Sequence, residues 1–213
     1  MRGKMPAVEI RGNVDLRRAL REFTPDLEKA MKDEIIRGLS PIVKQAKSFV
    51  PNQPMKNWFG GNTKKINAKT SMFRVGKFPL FNAAVVKEGI KLSTATTNRN
   101  KNGFTAQAKI INGSAAGAIY ETAGRKNPEG QPWVGRNGGK SHKESHSNNP
   151  TAGQQFITNL GTLTKSDKGD GRLIYRAWAE NQGVGLGIAM KAISTAKIKL
   201  YERNSSAPFQ RAA

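Results

Sequence analysis

The stretch PDLEKAMKDEIIRGLSPIVKQAKSFV, residues 25–50, decides the fold class of the N-terminal half. Its apolar residues recur at steps of three and four, which predicts an amphipathic α-helix: Leu27, Met31, Ile35, Leu39, Ile42, Val43, Ala46 and Val50. The segment Thr24–Asp26 supplies a cap, a first-turn proline and an acid suited to a helix start. Pro41 predicts a kink or restart. The prolines of Val50–Pro54 predict an end near Phe49.

The flanks of this helix predict less regular structure. Before it we expect an N-terminal arm over residues 1–13 and a short helix over about Val14 to Glu22. After it, residues 55–79 lack apolar periodicity and contain Gly60-Gly61. That composition predicts a long, basic, mobile loop, and a loop of this length is usually functional or disordered. Its candidate interface residues are Lys56, Trp58, Lys64, Lys65, Lys69, Arg74 and Lys77.

Two alternating segments predict a β-hairpin. Apolar and polar residues alternate over Lys87–Thr94 and over Phe104–Ile110. Between them, residues 98–103 are rich in asparagine and end in glycine, which favours a turn. Arg99 and Lys101 make this tip basic, so we count both as candidate interface residues.

The segment Ala115–Thr122 predicts a short helix that closes at Gly124. Glu121 lies among small apolar residues there, where a carboxylate requires a partner. Two interpretations remain open at this point. Glu121 is a surface charge, or it is a conformational anchor that accepts hydrogen bonds from neighbouring backbone or from an arginine such as Arg172.

The C-terminal part predicts a polar loop followed by a helix. Residues 125–153 are dense in Gly, Asn and Ser and predict a surface loop, with the basic candidate interface residues Arg125, Lys126, Lys140 and Lys143. A last helix is predicted from the apolar face of Ile188, Ala192, Ile193, Ala196, Leu200 and Tyr201. Its approach, Gly183-Val-Gly-Leu-Gly187, predicts a hinge or turn. Tyr175 and Trp178 are expected to pack on the Leu27–Ile42 face.

These elements predict an α+β fold in which amphipathic N-terminal helices and a C-terminal helix pack on a small antiparallel β-sheet. We expect a single domain over residues 14–203 and a flexible tail over residues 204–213. The order of elements lacks a repeated βαβ unit, which disfavours a parallel sheet.

Composition limits the partners. The 36 lysines and arginines outnumber the 15 carboxylates and give a formal charge of +21, so nucleic acid, an anionic membrane or acidic proteins are the candidate partners. The lack of cysteine excludes disulfides and thiolate chemistry. Residues 1–10 contain no apolar core of a signal peptide, and no stretch approaches the roughly 18 apolar residues of a membrane span. We therefore expect a protein made in a cytoplasm.

The motifs of catalysis and cofactor binding are incomplete. Gly139-Lys140-Ser141 resembles the end of a phosphate-binding loop, but Val134 occupies the position of the required first glycine. His142 and His146 have the spacing of helical metal ligands, yet their Gly, Asn and Ser surroundings predict solvated loop histidines. We expect neither an enzyme nor a protein with a metal or cofactor.

The order of features resembles the neck or tail-completion family of long-tailed bacteriophages over about Leu16 to Arg203. Ala46-Lys47-Ser48-Phe49-Val50-Pro51 is similar to the family's helix leading into a proline. Ala118-Ile119-Tyr120-Glu121-Thr122-Ala123-Gly124 is similar to its aromatic-Glu-x-x-Gly signature, carried here by Tyr120, Glu121 and Gly124. The chain departs from the family after the proline, where Asn52–Trp58 replaces the Thr-Gly-x-Leu of many members.

The resemblance implies a non-enzymatic virion protein at the head–tail junction. It implies a homo-oligomeric, six-fold ring around the DNA channel, with genomic DNA passing through it and no membrane. The expected neighbours are head connector or stopper proteins on one side and tail terminator or tail-tube proteins on the other. A nonspecific nucleic-acid-binding protein that uses the basic loops remains the alternative.

Overall fold

The computed structural model describes residues 7–13, 25–54, 58, 79–94, 104–134, 144–145 and 148–206. The helices in these ranges pack on a small antiparallel sheet, which confirms the α+β prediction. In chain order the elements are β1 (Ala7–Asn13), α1 (Pro25–Ser48), α2 (Ala83–Gly89), β2 (Ile90–Ser93), β3 (Phe104–Asn112), α3 (Ala115–Thr122), α4 (Ala152–Leu160) and α5 (Ile174–Ser206). The predicted helix over 14–22 lies outside the described residues.

The sheet has the strand order β1-β3-β2, and both pairings are antiparallel. The β2–β3 pair confirms the predicted hairpin, while its basic tip lies outside the described residues. Within the predicted first strand, residues 87–89 instead belong to α2. The reason is the Asn82 side chain, whose oxygen accepts hydrogen bonds from the backbone N–H groups of Ala84 and Val85 and caps that helix.

The expectation of an N-terminal arm was wrong for residues 7–13. This segment forms β1, and Val8 pairs with Ile110 at the centre of the sheet and is only 2 % exposed. Val8-Glu9-Ile10 does alternate in polarity, but the run is short. It becomes a strand because β3 offers it a partner that is distant in sequence.

Helix α1 buries its predicted apolar face and ends at Ser48, as expected. Pro41 does not restart it, because one continuous helix runs from Pro25 to Ser48. The Pro41 side chain is exposed, so the missing backbone donor lies on the outer side of the helix, away from the core. Packing of the opposite face against α5 and the sheet stabilises the uninterrupted helix.

Helix α5 corrects the predicted glycine hinge. The helical backbone continues through Gly183 to Gly187, and the interruption lies instead at Asn181, with φ −126° and ψ 17°. Gly185 is required by packing, because a Cβ there would lie 2.9 Å from the Trp178 ring. A Cβ on Gly38 of α1 would lie 2.0 Å from Ile188 Cγ2, so α1 and α5 cross at close range.

The core confirms the predicted burial of Tyr175 and Trp178 with the α1 face. Both rings belong to the buried cluster that contains Leu27 to Ile42, and Trp178 is 1 % exposed. The Trp178 Nε1–H donates to Asp167 Oδ1 at 2.9 Å, so the polar edge of the ring has a partner. Among the helices of the described ranges, none combines the length and apolar character needed to cross a lipid bilayer.

Candidate functional site

The residues of the family-like signature lie where the end of α3 meets the start of α5. Glu121 is fully buried. Its Oε2 accepts the backbone N–H groups of Leu173 at 2.9 Å and Ile174 at 3.1 Å, and its Oε1 accepts that of Tyr175 at 3.0 Å. These are first-turn donors that a helix cannot satisfy internally. Glu121 is therefore a conformational anchor, and the surface-charge interpretation is excluded.

The electrostatics of Glu121 combine opposing effects. Burial raises the pKa of the Glu121 carboxyl above its ordinary value, while the hydrogen bonds from Tyr175, Ile174 and Leu173 and the charge of Arg125 act in the lowering direction. The positive end of the α5 macrodipole also favours a negative group at this position. Both carboxyl oxygens are occupied by backbone donors, so the group stabilises the junction and does not point into a substrate cleft.

Arg172 is the second buried charge of this junction, which we call the α3–α5 junction (Tyr120–Gly124 with Gly171–Tyr175). Its Nε and Nη2 donate to the Gly161 carbonyl at 3.0 and 2.7 Å, and its Nη1 donates to the carbonyls of Tyr120 at 2.8 Å and Ala123 at 2.9 Å. These acceptors are the orphan carbonyls at the ends of α3 and α4. One guanidinium thus joins three helices. Of the two kinds of donor that the sequence left open for Glu121, backbone or an arginine such as Arg172, the structure shows backbone.

Two glycines permit this close packing. Gly124 has φ +92°, a left-handed conformation that favours glycine, and a Cβ there would lie 3.1 Å from Ile157 Cγ2. A Cβ on Gly171 would lie 2.1 Å from Glu121 Oε1, so any side chain would displace the carboxylate. The signature glycine was predicted as a helix end. Gly171 was missed, although a glycine two residues before the apolar run Leu173–Tyr175 is a recognisable loop signal.

Tyr120, the aromatic member of the signature, belongs to an aromatic cluster. Its ring packs edge-on against Phe81 with centroids 5.8 Å apart, and Phe81 lies 5.1 Å from the Trp58 ring. Trp58 also contacts Phe156 at 5.4 Å. Burial raises the pKa of the Tyr120 hydroxyl, and the negative charge of Glu121 adds to that effect while Arg172 opposes it. The signature tyrosine thus links α3 to Phe81 and, through it, to Trp58.

Trp58, one of the candidate interface residues, is buried within the chain. Trp58 is 3 % exposed, and its Nε1–H donates to the Pro79 carbonyl at 2.8 Å. Burial of a large aromatic ring is favourable even where the surrounding sequence is polar. Here Phe81 and Phe156 form the pocket for the Trp58 ring. The basic residues that neighbour Trp58 in sequence did not indicate that its ring is buried.

The described residues contain two members of the predicted basic surface. Lys126 is exposed. Arg125 is exposed too, but it is committed within the chain: its guanidinium lies 4.4 Å from the Tyr175 ring centroid and its Nε donates to the Asp170 carbonyl. The other basic candidates lie outside the described residues, namely Lys56, Lys64, Lys65, Lys69, Arg74, Lys77, Arg99, Lys101, Lys140 and Lys143. His142 and His146 lie outside them as well.

The charges of the sequence divide unevenly between the described residues and the rest of the chain. Of the 15 carboxylates, Asp15 and Glu22 alone lie outside the described residues, whereas 17 of the 36 basic residues do. The described residues are therefore much closer to charge balance than the chain as a whole. Most of the +21 belongs to other segments of the chain.

Comparisons with protein-family models, with curated proteins and with solved structures found no significant match. Within the described ranges, no group of three or more His, Asp or Glu side chains has the proximity needed to hold a metal ion. The α3–α5 junction is the candidate site that the described residues offer, and its chemistry is that of helix capping.

Proposed function

We propose that this protein is a structural subunit of the head–tail junction of a long-tailed bacteriophage. In this role it forms part of a homo-oligomeric ring around the DNA channel and joins the head connector to the tail. The chain supplies contacts in this proposal and performs no chemical step.

The observation that carries the proposal is the placement of the Tyr120-Glu121-x-x-Gly124 signature in the α3–α5 junction. Each of the three residues has an architectural role, since Tyr120 packs in the aromatic cluster, Glu121 caps α5 and Gly124 permits the turn. A motif with such roles is expected in a family that shares a scaffold without sharing a catalytic centre. The α+β architecture agrees with the fold that the resemblance implies.

The charge distribution supports contact with a polyanion or with acidic neighbours. The described residues hold 19 of the 36 basic and 13 of the 15 acidic residues, so most of the positive charge that attracts a polyanion belongs to the other segments of the chain. In the proposed ring, DNA or acidic parts of neighbouring proteins supply the negative charge. Nonspecific nucleic-acid binding by a single subunit uses the same basic segments and is the second candidate function.

Complementation of a phage that lacks this protein tests the proposal. Reversal of Lys64, Lys65 and Lys69 to glutamate is expected to leave unattached heads and tails, because attraction becomes repulsion. The double substitution His142→Ala with His146→Ala is the matched control and is expected to restore plaques. Failure of the folded histidine variant together with success of the charge-reversed variant would refute an assembly role and point to a site at the histidines.

A further inference from the structure

The outward face of α5 carries an apolar stripe in solvent. Residues on this face follow one another at steps of four, three, four, four and three, which places them along one side of a helix: Gly183, Gly187, Met190, Ser194, Ile198 and Tyr201. The three large side chains are well exposed, at 65 % for Met190, 56 % for Ile198 and 64 % for Tyr201. Several large apolar side chains exposed along one helix face indicate a contact site. We call these six residues the α5 stripe.

The two glycines of the α5 stripe have no explanation within the described residues. A Cβ on either Gly183 or Gly187 would meet nothing within 4 Å. Gly185, between them, differs because the Trp178 ring excludes a side chain there. Glycine destabilises a helix interior relative to alanine. Two glycines one turn apart on an open face do, however, let another backbone approach closely.

A groove lies between α1 and α5 on another side of the same helix. It has a volume of about 440 Å³, and an apolar and small-residue surface is formed by Leu27, Ala30, Met31, Ala192, Thr195 and Ala196. Asp33 and Glu34 form its α1 rim, with Arg37 beside them, and Lys191 and Lys199 form its α5 rim. An apolar floor with charged rims is the arrangement that receives one face of an amphipathic helix. We call it the α1–α5 groove.

We infer that the α5 stripe of one copy docks in the α1–α5 groove of a neighbouring copy. The stripe offers apolar side chains flanked by Lys197, and the α1 side of the groove offers Asp33 and Glu34 beside its apolar floor, whereas the α5 side carries Lys191 and Lys199. The charge complementarity is therefore local to the α1 rim. Asp33 and Glu34 pair within α1 with Lys29 and Arg37, but all four side chains are substantially exposed. Such surface ion pairs contribute little to stability, so a lysine of the neighbouring copy can replace Lys29 or Arg37 as the partner of these carboxylates.

A second copy is the occupant because one chain carries both complementary surfaces. The stripe and the groove occupy different sides of α5, so their contact is heterologous: each copy uses its stripe on one neighbour and its groove on the other. Contacts of this type close into rings or extend into filaments. The inference rests on the proposed function, for which it names the contact between ring subunits.

The salt dependence of this contact distinguishes it from nucleic-acid binding. Two copies with a formal charge of +21 repel each other over long range. Added salt screens that repulsion and leaves the apolar contact in place, so self-association should strengthen between low and moderate salt. Binding to nucleic acid weakens steeply over the same range.

Disulfide trapping tests the contact directly, because the natural chain contains no cysteine and is itself a blank. Ser194→Cys lies in the stripe and Ala30→Cys lines the groove, and both positions are exposed. Under mild oxidation the double variant should give a ladder of covalent multimers. A mixture of the two single variants should give dimers and no larger species, and each single variant alone should stay monomeric on a denaturing gel.

A matched control pairs Ser194→Cys with Thr162→Cys, an exposed position outside both surfaces, and should give no ladder. Adding Ile198→Asp to the double-cysteine variant should abolish every band above the monomer. Efficient dimers from Ser194→Cys alone would overturn the inference in favour of a stripe-to-stripe contact. An unchanged ladder with Ile198→Asp, or no ladder at all, would overturn it too.

The same variants separate this inference from the proposed function. If Ile198→Asp protein, without cysteines, still joins heads to tails, the contact is wrong and the function stands. If the ladder forms as described but phage assembly is indifferent to the protein, the contact stands and the function is wrong.

Discussion

The Glu121 carboxylate and the Arg172 guanidinium are buried in the same junction, yet each bonds to backbone groups. Glu121 accepts N–H groups at the start of α5, and Arg172 donates to carbonyls at the ends of α3 and α4. Each charge thus satisfies the helix-end groups of the opposite sign. Three helices are held at one point by two side chains.

The cap on α5 predicts the effect of Glu121→Gln. The substitution keeps the size of the side chain but replaces one accepting oxygen with an NH₂ group, which faces backbone donors. We expect a loss of about 2–3 kcal/mol in the free energy of unfolding. Urea denaturation measures it, with Glu129→Gln as the control, because Glu129 is exposed and its change should stay within about 0.5 kcal/mol. Equal midpoints for the two variants would show that the cap is unimportant.

The direction of the Glu121 pKa predicts a pH dependence. Since the pKa is raised in the folded protein, the unfolded chain releases this proton at lower pH than the folded protein does. The stability contributed by this group is present below the unfolded pKa and is lost as pH rises through the folded pKa. The difference in unfolding free energy between the natural protein and Glu121→Gln should therefore shrink as pH rises through that window. A difference that grows would mean that the backbone donors lower the pKa.

Arg172→Lys tests whether the planar set of hydrogen-bond donors, and not the positive charge alone, stabilises the α3–α5 junction. Lysine keeps the charge but cannot reach the carbonyls of Tyr120, Ala123 and Gly161 with a fixed fork of donors. Because buried carbonyls are left without partners, we expect a loss of about 2–4 kcal/mol. Arg176→Lys is the control: its exposed pair with Glu180 should contribute no more than about 1 kcal/mol. Thermal unfolding of both variants decides, and similar melting temperatures would contradict the role of Arg172.

The two tryptophans outside the aromatic cluster give a paired test of the core. Trp178→Ala removes a fully buried ring and should cost about 3–5 kcal/mol. Trp133→Ala removes a ring that is 47 % exposed and should cost about 1 kcal/mol or less. Guanidinium denaturation followed by circular dichroism measures both variants. A reversed order of the two effects would mean that the ring on α5 is not part of the core.

Patterns local in sequence predicted much of the fold. The three- and four-residue steps in 25–50 identified α1 with its end, and the small-residue segment identified α3 with its closing glycine. Alternation identified the β2–β3 pair. In each case the sequence pattern and the element that it predicts span the same few residues, so the periodicity of the apolar residues is enough to predict the element.

Contacts between segments that are distant in sequence determine the rest of the fold. β1 is a strand because it pairs with β3, and the paired residues Val8 and Ile110 are some 100 residues apart in sequence. Trp58 is buried because Phe81 and Phe156 surround it. In α5, packing against Trp178 and Ile42 explains Gly185, so a glycine pattern typical of a hinge lies within a helix. Tertiary packing overrides local propensity at these places.

In the candidate site too, the local features were predictable from the sequence and the contacts between distant segments were not. A carboxylate among small apolar residues was sufficient to predict that Glu121 has a partner, since burial of an unpaired charge is costly. The identity of its donors was beyond the sequence, because Leu173, Ile174 and Tyr175 follow some 50 residues later. Arg172 was one of two partners considered for Glu121, the other being backbone, and it donates to the carbonyls of Tyr120 and Ala123 instead.

The mass of the purified protein in moderate salt, with nucleic acid removed, tests the central claim most directly. An assembly subunit should give discrete particles at a multiple of the 23.2 kDa chain mass, visible as rings in negative-stain micrographs. The contradicting result is a monomer of 23.2 kDa at every concentration that binds DNA with an affinity falling steeply with salt.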